Sequence, residues 1–265
     1  MIDLHCHMLP GIDDGAKDLA TALQMARLAA EDGVRVVACT PHIYPGMFEN
    51  DTAGILRAID ALQAAIDAEG IPLKLTIGAD AHVTPELLSR LKAGTVPTLG
   101  NNTRYFLLEP PHHVAPPRLD EFVFNLLAAG YVPVVTHPER LSWIESHYSL
   151  FGDLVRQGAW MQVTAGSLTG KFGPAAQSWG ERMLDEGLVH ILASDGHSTR
   201  GRPPLLSAGR DAAAKWVGEE EALHLVNTRP AGILNNRAPG DLPALPERSG
   251  RRKQGGWLGR LFGRR

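Results

Sequence analysis

Cysteine is nearly absent. Cys6 and Cys39 are the only two in 265 residues. Each lies inside a strand-like apolar run, and the plain reading is a small buried hydrophobe in a reducing compartment. Neither starts the phosphate loop of a cysteine phosphatase, which needs an arginine six residues after the nucleophile. That position holds Ile12 after Cys6 and Pro45 after Cys39. Long apolar runs are missing too. No stretch approaches the roughly 20 residues that span a bilayer, and no basic segment leads into an apolar one as in a secretion signal. A cytoplasmic location is the expectation. Net positive charge is also lacking: the formal net charge is −3, unevenly spread. Residues 247–265 hold seven Lys or Arg against one Glu, which leaves −9 on the rest. An acidic body does not suit a duplex, so no nucleic-acid partner is expected. The basic end reads as an electrostatic tether.

What is present is a chain long enough for a sizeable core, either one large barrel-like domain or two small ones. Strand-like and helix-like stretches alternate. Met1–His7 reads as a strand and Lys17–Asp32 as a helix, with Leu19, Leu23, Ala26 and Ala30 at helical spacing. Gly33 ends that helix, and Val34–Thr40 is the next strand. The same sentence repeats: helix 51–69 with strand 73–79, helix 84–92 with strand 104–109, and helix 118–129 with strand 132–136. Helix 145–157 with strand 159–164 and helix 174–186 with strand 188–194 follow. Gly70, Gly94, Gly130, Gly158 and Gly187 punctuate the helix ends. Seven strands alternating with helices argue a parallel sheet with right-handed crossovers. Leu206–Val217 and Glu219–Val226 read as covering helices. Asn227–Ala244, rich in Pro, Asn and Gly, reads as the exit from the domain. The expected division is a domain over 1–240 and a basic tail over 241–265.

Polar residues mark the strand ends. His5, His42, Asp80, Glu109 and His137 follow one another at 37, 38, 29 and 28 residues, and Asp195 comes 58 after His137. About 30 residues make one strand-plus-helix unit. A barrel brings the C-terminal ends of all its strands to one mouth, whereas an open sheet gathers only those near its switch point. The register therefore favours a closed or nearly closed barrel. A lone histidine at a strand end is more often a surface or capping residue, but histidines and carboxylates all in one register point to metal. His5 and His7, two apart on one strand, share a face. His82 lies on the same face as Asp80 by alternation and reads as a surface residue or, as the other reading, a contact to the substrate or to a metal ligand. His112 and His113 read as part of a solvated loop.

The motifs are specific enough to resemble a family. They are Asp3-Leu-His-Cys-His-Met-Leu-Pro-Gly-Ile-Asp-Asp-Gly15, Thr40-Pro-His42, Gly78-Ala-Asp80, Leu107-Leu-Glu109, Thr136-His-Pro-Glu-Arg140, Gln162-Val-Thr-Ala-Gly-Ser-Leu-Thr-Gly170 and Ala193-Ser-Asp-Gly-His197. Together they resemble the polymerase-and-histidinol-phosphatase (PHP) superfamily. More narrowly, they resemble its bacterial tyrosine-protein phosphatases of capsule and exopolysaccharide assembly, the CpsB/CapC type. The resemblance implies an α/β fold, a distorted (β/α)7 barrel, and three metal ions. It assigns His5, His7, Glu109 and Asp195 to the first ion, Asp80, Glu109 and His137 to the second, and Asp14, His42 and His197 to the third. Arg140 and Arg202 match the positions that grip phosphate. Position 80 departs from the family's usual Glu, and the Asp is one methylene shorter. Mn2+ is the expected ion, with Fe, Zn, Co or Mg as other occupants.

The implied reaction is hydrolysis of phosphotyrosine by a water acidified between close cations, with two guanidinium groups facing the phosphate oxygens. His42 or His197 is the expected proton donor to the leaving group. The expected partner is a phosphotyrosine protein, the tail of a bacterial tyrosine kinase that regulates polysaccharide export. The other readings are a phosphoesterase for a small molecule such as histidinol phosphate, a metal-dependent amidohydrolase, and a non-catalytic regulatory module of the polysaccharide machinery. The two arginines argue against the amidohydrolase, since a neutral amide needs no dianion clamp. The complete ligand set argues against the regulatory module. Trp257, Leu258, Leu261 and Phe262 would share one face of a helical tail, flanked by Arg251, Arg252 and Lys253. Peripheral association with an anionic inner membrane is the expectation there.

Overall fold

The computed structural model describes residues 1–101 and 103–247. Apart from its stem, the expected tail lies outside them. The chain begins β1 (Ile2–Cys6), α1 (Leu19–Glu31), β2 (Val36–Cys39), β3 (His42–Ile43), α2 (Thr52–Ala68), β4 (Lys74–Ile77), β5 (Asp80–His82) and α3 (Leu87–Lys92). It continues β6 (Tyr105–Glu109), α4 (Leu119–Ala128), β7 (Val132–Thr136), α5 (Ile144–Gln157), β8 (Trp160–Thr164), α6 (Ala165–Leu168), α7 (Gly173–Asp185) and β9 (Ile191–Ala193). It ends in α8 (Ser207–Val217), α9 (Glu219–Leu223) and α10 (Arg229–Leu234). Caps follow the sequence. Asp18 accepts from the Thr21 N–H at 2.8 Å and Asp51 from the Gly54 N–H at 2.7 Å, opening α1 and α2. Among the described residues no helix is long and apolar enough to cross a membrane.

All strand pairings between named strands are parallel, in the orders β1-β2-β4 and β3-β5-β6-β7-β8-β9. The second and third of the seven expected strands are each interrupted, which makes nine segments. Pro41 sits at one break and Gly78 at the other, and neither supports an unbroken ladder of side chains. Past β9 the chain meets β1 again: the Asp195 N–H donates to the His5 carbonyl and the His7 N–H to the Gly196 carbonyl, each at 2.8 Å. That seam closes a distorted seven-unit α/β barrel.

Alternation divides the apolar residues in two. One set lies between strands and helices. The other fills the barrel: Leu4, Ala38, Tyr105, Leu107, Val134 and Trp160 among them, closed below by Leu99, Ile233 and Leu242. Two residues further along the same inward faces, β6 offers Glu109, β7 Thr136 and β8 Gln162, all buried. The apolar plug thus ends where a buried polar layer begins.

Asn227–Ala244 corrects the expected exit. It contains α10 and belongs to the barrel floor through Ile233 and Leu242. Arg229 is fully buried there, donating to Glu221 at 2.6 and 3.1 Å and to the carbonyls of His190, Pro243 and Ala244. Packed chain continues to Pro246, whose carbonyl comes so close to Gly187 that a Cβ there would lie 2.2 Å from it. Pro and Gly composition reports local turns; burial here is decided by apolar residues spaced too far apart for that reading.

Candidate metal centre

The expected ligands arrive from several strands and the turns beyond them. His5 ends β1, His42 opens β3, Asp80 opens β5 and Glu109 ends β6. His137 and Asp195 follow β7 and β9 in left-handed backbone, φ +36° and +51°. Non-glycine residues rarely hold that conformation without a reason. Here it turns both side chains into the mouth. The loop after His7 folds back over them, and Gly15 permits it: a Cβ there would lie 2.1 Å from the His7 carbonyl.

The nitrogens and oxygens converge. His5 Nε2 stands 3.1 Å from His7 Nε2, 3.3 Å from Asp80 Oδ2 and 3.4 Å from Asp195 Oδ1. The second nitrogens of both rings are engaged elsewhere: His5 Nδ1 lies 3.0 Å from Gln162 Oε1 and His7 Nδ1 lies 2.7 Å from Asp13 Oδ2. That fixes which ring atom faces the centre, a usual arrangement for metal-binding imidazoles. Asp14 Oδ1 lies 3.5 Å from His42 Nε2 and 3.4 Å from His197 Nε2. Glu109 is 3.2 Å from His42 and 3.9 Å from His137.

Among the described residues, four groups of side chains have ligand atoms close enough to hold an ion. They are His7-Asp14-His42-His197, His5-His7-Asp80, His42-Asp80-Glu109 and Glu109-His112-His137. All nine expected ligands gather in one mouth; Asp14, His42 and His197 stand together as expected, whereas the other expected ligands are grouped differently and Asp195 stands in none of the four groups. Asp80 stands beside His5 and His42, and its Oδ2 is 4.0 Å from His137. The shorter carboxylate reaches the centre. His112, expected in solvated loop, is half-buried with Nε2 3.9 Å from Glu109. His82, expected at the surface, is also half-buried, 3.5 Å from Glu109. Asp13 and Gln162 carried no expected role although both stand in the quoted motifs. Gln162 acts on a ring 157 residues away, and Asp13 reaches His7 only because the loop between them folds back.

The electrostatics fit a cation. Asp80 is wholly buried, and neither of its oxygens accepts a well-directed hydrogen bond among the described residues. Burial and the neighbouring Glu109 push its carboxyl up. His5 is buried too, yet Asp80 and Asp195 raise it to about 9. Burial and His197 lower His7 to about 3. Burial and Arg140 hold His137 well below its usual range. His7 and His137 are thus held as neutral imidazoles, which a divalent ion takes as ligands, while His5 carries the positive charge that the surrounding carboxylates draw in and that a bound ion would replace. Imidazole with carboxylate suits Mn, Fe, Zn or Co better than an all-oxygen cage does.

Arg140 and Arg202 both donate to Asp195 Oδ2. The Phe172 ring lies under them, 4.2 Å from the Arg140 guanidinium carbon and 5.8 Å from that of Arg202. Two recesses open on the centre and share His112. One of ≈ 440 Å³ reaches Arg140 and Phe172, and one of ≈ 350 Å³ reaches Asp14, His42 and Glu109. A larger cavity of ≈ 680 Å³ lies between α5 and α7 and touches none of these groups. Size alone therefore does not locate the chemistry.

Comparison with known proteins follows this geometry. The family described as capsular polysaccharide synthesis, CpsB/CapC, matches residues 1–235. The tyrosine-protein phosphatase YwqE of Bacillus subtilis is 38% identical over 202 residues, 76% of this chain and 79% of that one. The putative tyrosine-protein phosphatase CapC of Staphylococcus aureus is 29% identical over 262 residues, 98% of this chain and 100% of that one. A solved structure from work on YwqE of Bacillus subtilis and CpsB of Streptococcus pneumoniae, described as unique metal-dependent tyrosine phosphatases, superposes with a TM-score of 0.88. It is 33% identical, over 94% of this chain and 98% of that one.

Proposed function

The chain belongs to the CpsB/CapC family of capsular polysaccharide synthesis, and from that premise we propose that it is a metal-dependent protein-tyrosine phosphatase. The observation that carries the reading is the buried centre itself. Carboxylate oxygens without partners, inward-facing imidazole nitrogens and two arginines meet at one mouth. His5, His7, Asp14, His42, Asp80, Glu109, His137, Asp195 and His197 would hold the ions, three of them, with Mn2+ as the occupant. Bound there, the ions supply an acidified water and neutralise phosphate charge.

The protein's own groups do the rest. Arg140 and Arg202 bind the phosphate dianion, because the guanidinium fork matches two of its oxygens. Phe172 keeps Arg140 in plane. Gln162 and Asp13 hold the His5 and His7 rings in a fixed orientation. A phenolate leaving group has a pKa near 10 and needs little help from an acid. His42 or His197, whichever is not fully committed to an ion, supplies that proton. The substrate is a phosphotyrosine segment of a protein, in this reading the tail of a bacterial tyrosine kinase. The basic residues 248–265 bring the enzyme to an anionic inner-membrane surface.

Two measurements test this. The purified chain with Mn2+ should release phosphate from a phosphotyrosine peptide, chelation should stop it, and His137→Ala should abolish it. An intact peptide, or equal rates for the variant, would sink the proposal. Flotation with anionic liposomes tests the tail: binding should be lost on deleting 248–265, and equal binding would remove the membrane from the account.

A further inference from the structure

The recess beside His42 has two chemical faces. Its floor is ionic, formed by Asp14, His42 and Glu109. Its walls and rim are mainly apolar, Tyr44, Phe48, Pro111, Met47 and Val114, with His82, His112 and His113 among them. One wall is a rigid turn. The Phe48 N–H donates to the Tyr44 carbonyl at 2.8 Å and the Tyr44 N–H donates back at 3.0 Å. Gly46 supplies the left-handed residue between them, φ +82°. Asn50 Nδ2 donates to the carbonyls of His42 and Ile12, at 2.9 and 3.0 Å. The turn is thereby tied both to a ligand strand and to the loop that carries Asp14.

The aromatic rings are set by the imidazoles of the centre. Tyr44 stacks on His82 with centroids 4.0 Å apart and planes at 17°. Phe48 stacks on His42 at 5.6 Å and 17°. At the rim, Met47 is 64% and Val114 67% exposed. Single apolar side chains in water are ordinary. Two of them line one aromatic-walled recess whose floor is made of residues that would hold cations, and with those cations bound the recess suits a molecule that is apolar at one end and anionic at the other. A volume of ≈ 350 Å³ sits at the small end of ligand pockets, roughly 300–1,000 Å³.

Resting on the phosphatase reading, we infer that this recess is the specificity slot for the aryl ring of the substrate. Phe48 and Tyr44 contact the ring, Met47 and Val114 contact apolar residues flanking it, and the phosphate reaches the floor. The slot selects by covered apolar area. A serine phosphoester or a small alkyl phosphate brings no ring to the walls and gains nothing from them.

The test compares benzylphosphonate with methylphosphonate on the Mn2+-loaded full chain, by calorimetric binding and by inhibition of phosphotyrosine-peptide hydrolysis. The wild type should bind the benzyl compound about tenfold or more tightly than the methyl one. Phe48→Ala should bring that ratio to about twofold and raise KM for the peptide more than it lowers kcat. Phe48→Tyr should keep the ratio. The rim pair Met47→Ser with Val114→Ser should raise the peptide KM while sparing the ratio between the two phosphonates. If Phe48→Ala melts early, Phe48→Leu reads the same ratio with the bulk retained and the ring removed, and an intermediate value is expected. Equal binding of the two phosphonates by the wild type overturns the inference, as does a ratio unmoved in both Phe48→Ala and Phe48→Leu. A protein that prefers benzylphosphonate yet leaves phosphotyrosine intact would sink the functional reading and keep the slot.

Discussion

Two buried ionic clusters sit at opposite ends of the barrel. At the floor, Arg229 is wholly buried, and its guanidinium donates to Glu221 and to three backbone carbonyls. At the mouth, Asp80 is equally buried and both of its oxygens lack a well-directed donor among the described residues. Two imidazole nitrogens approach each other there to 3.1 Å. A buried charge with every partner in place serves the fold. One whose partners are other ligand atoms is held ready for a group the chain does not itself provide. Burial is the same in the two places, and satisfaction is what tells them apart.

The contrast is sharpest for Asp80→Asn. Removing that charge should lower kcat/KM for a phosphotyrosine peptide by about 10³-fold, roughly 4 kcal/mol of transition-state stabilisation, with a matching loss of bound Mn2+ by elemental analysis. The metal-free variant should melt at the same temperature as the wild type or higher, because a carboxylate that burial and Glu109 disfavour has been neutralised. A metal-free melting point well below wild type would mean that Asp80 is structural after all.

Arg229→Met should do the reverse. Among the described residues it leaves Glu221 with His224 alone, 3.2 Å away, strips three backbone carbonyls of this donor, and should destabilise by about 3–5 kcal/mol in urea unfolding. The surviving folded fraction should keep its specific activity. A variant as stable as wild type would show that the floor pair contributes only shape.

The third effect depends on pH and is small near neutrality. His190, beside Arg229, accepts from the Met161 N–H at 3.1 Å and stacks on Trp160. Burial, with Arg229 adding to it, lowers the His190 pKa to about 3 from an ordinary 6.5. As pH falls through 6.5 the unfolded chain takes up a proton there and the folded chain does not. This contribution is fully present above pH 6.5 and is lost toward pH 3, at about 1.4 kcal/mol per unit. Metal-free His190→Asn, which keeps an acceptor without the titration, should show a flatter slope below pH 6.5. An unchanged slope would assign acid sensitivity to the mouth instead.

The rhythm of strands and helices was legible because each unit is local: apolar runs, a helix period and a glycine at its end. Gly33, Gly70, Gly94, Gly130, Gly158 and Gly187 all have positive φ, as their places in the pattern implied. The side chains of the mouth were legible because a barrel forces strand ends together, so register alone gathers His5, Asp80 and Asp195. What escaped depends on partners far away in sequence. His112 lies in a proline-flanked loop, and only the fold brings it beside His137, with ring centroids 4.9 Å apart. Arg229 sits in a Pro- and Asn-rich stretch, and nothing local announces that Glu221 and the carbonyls of residues 190, 243 and 244 surround it. The strand breaks at Pro41 and Gly78 left the apolar pattern intact, so the pattern could not report them.

The seam between β1 and the turn after β9 has a consequence in time. His5 and His7 stand at the start of the chain, Asp195 and His197 about 190 residues later, and they meet only where the Asp195 and His7 N–H groups cross that seam. A chain emerging from synthesis carries the first ligands long before the last exist. No partly built barrel holds the whole centre, so the final strand to dock both closes the ring and assembles the site. Contacts this distant in sequence form slowly. The appearance of activity after dilution from denaturant is therefore a direct clock for barrel closure, one that secondary-structure signals, complete earlier, do not read.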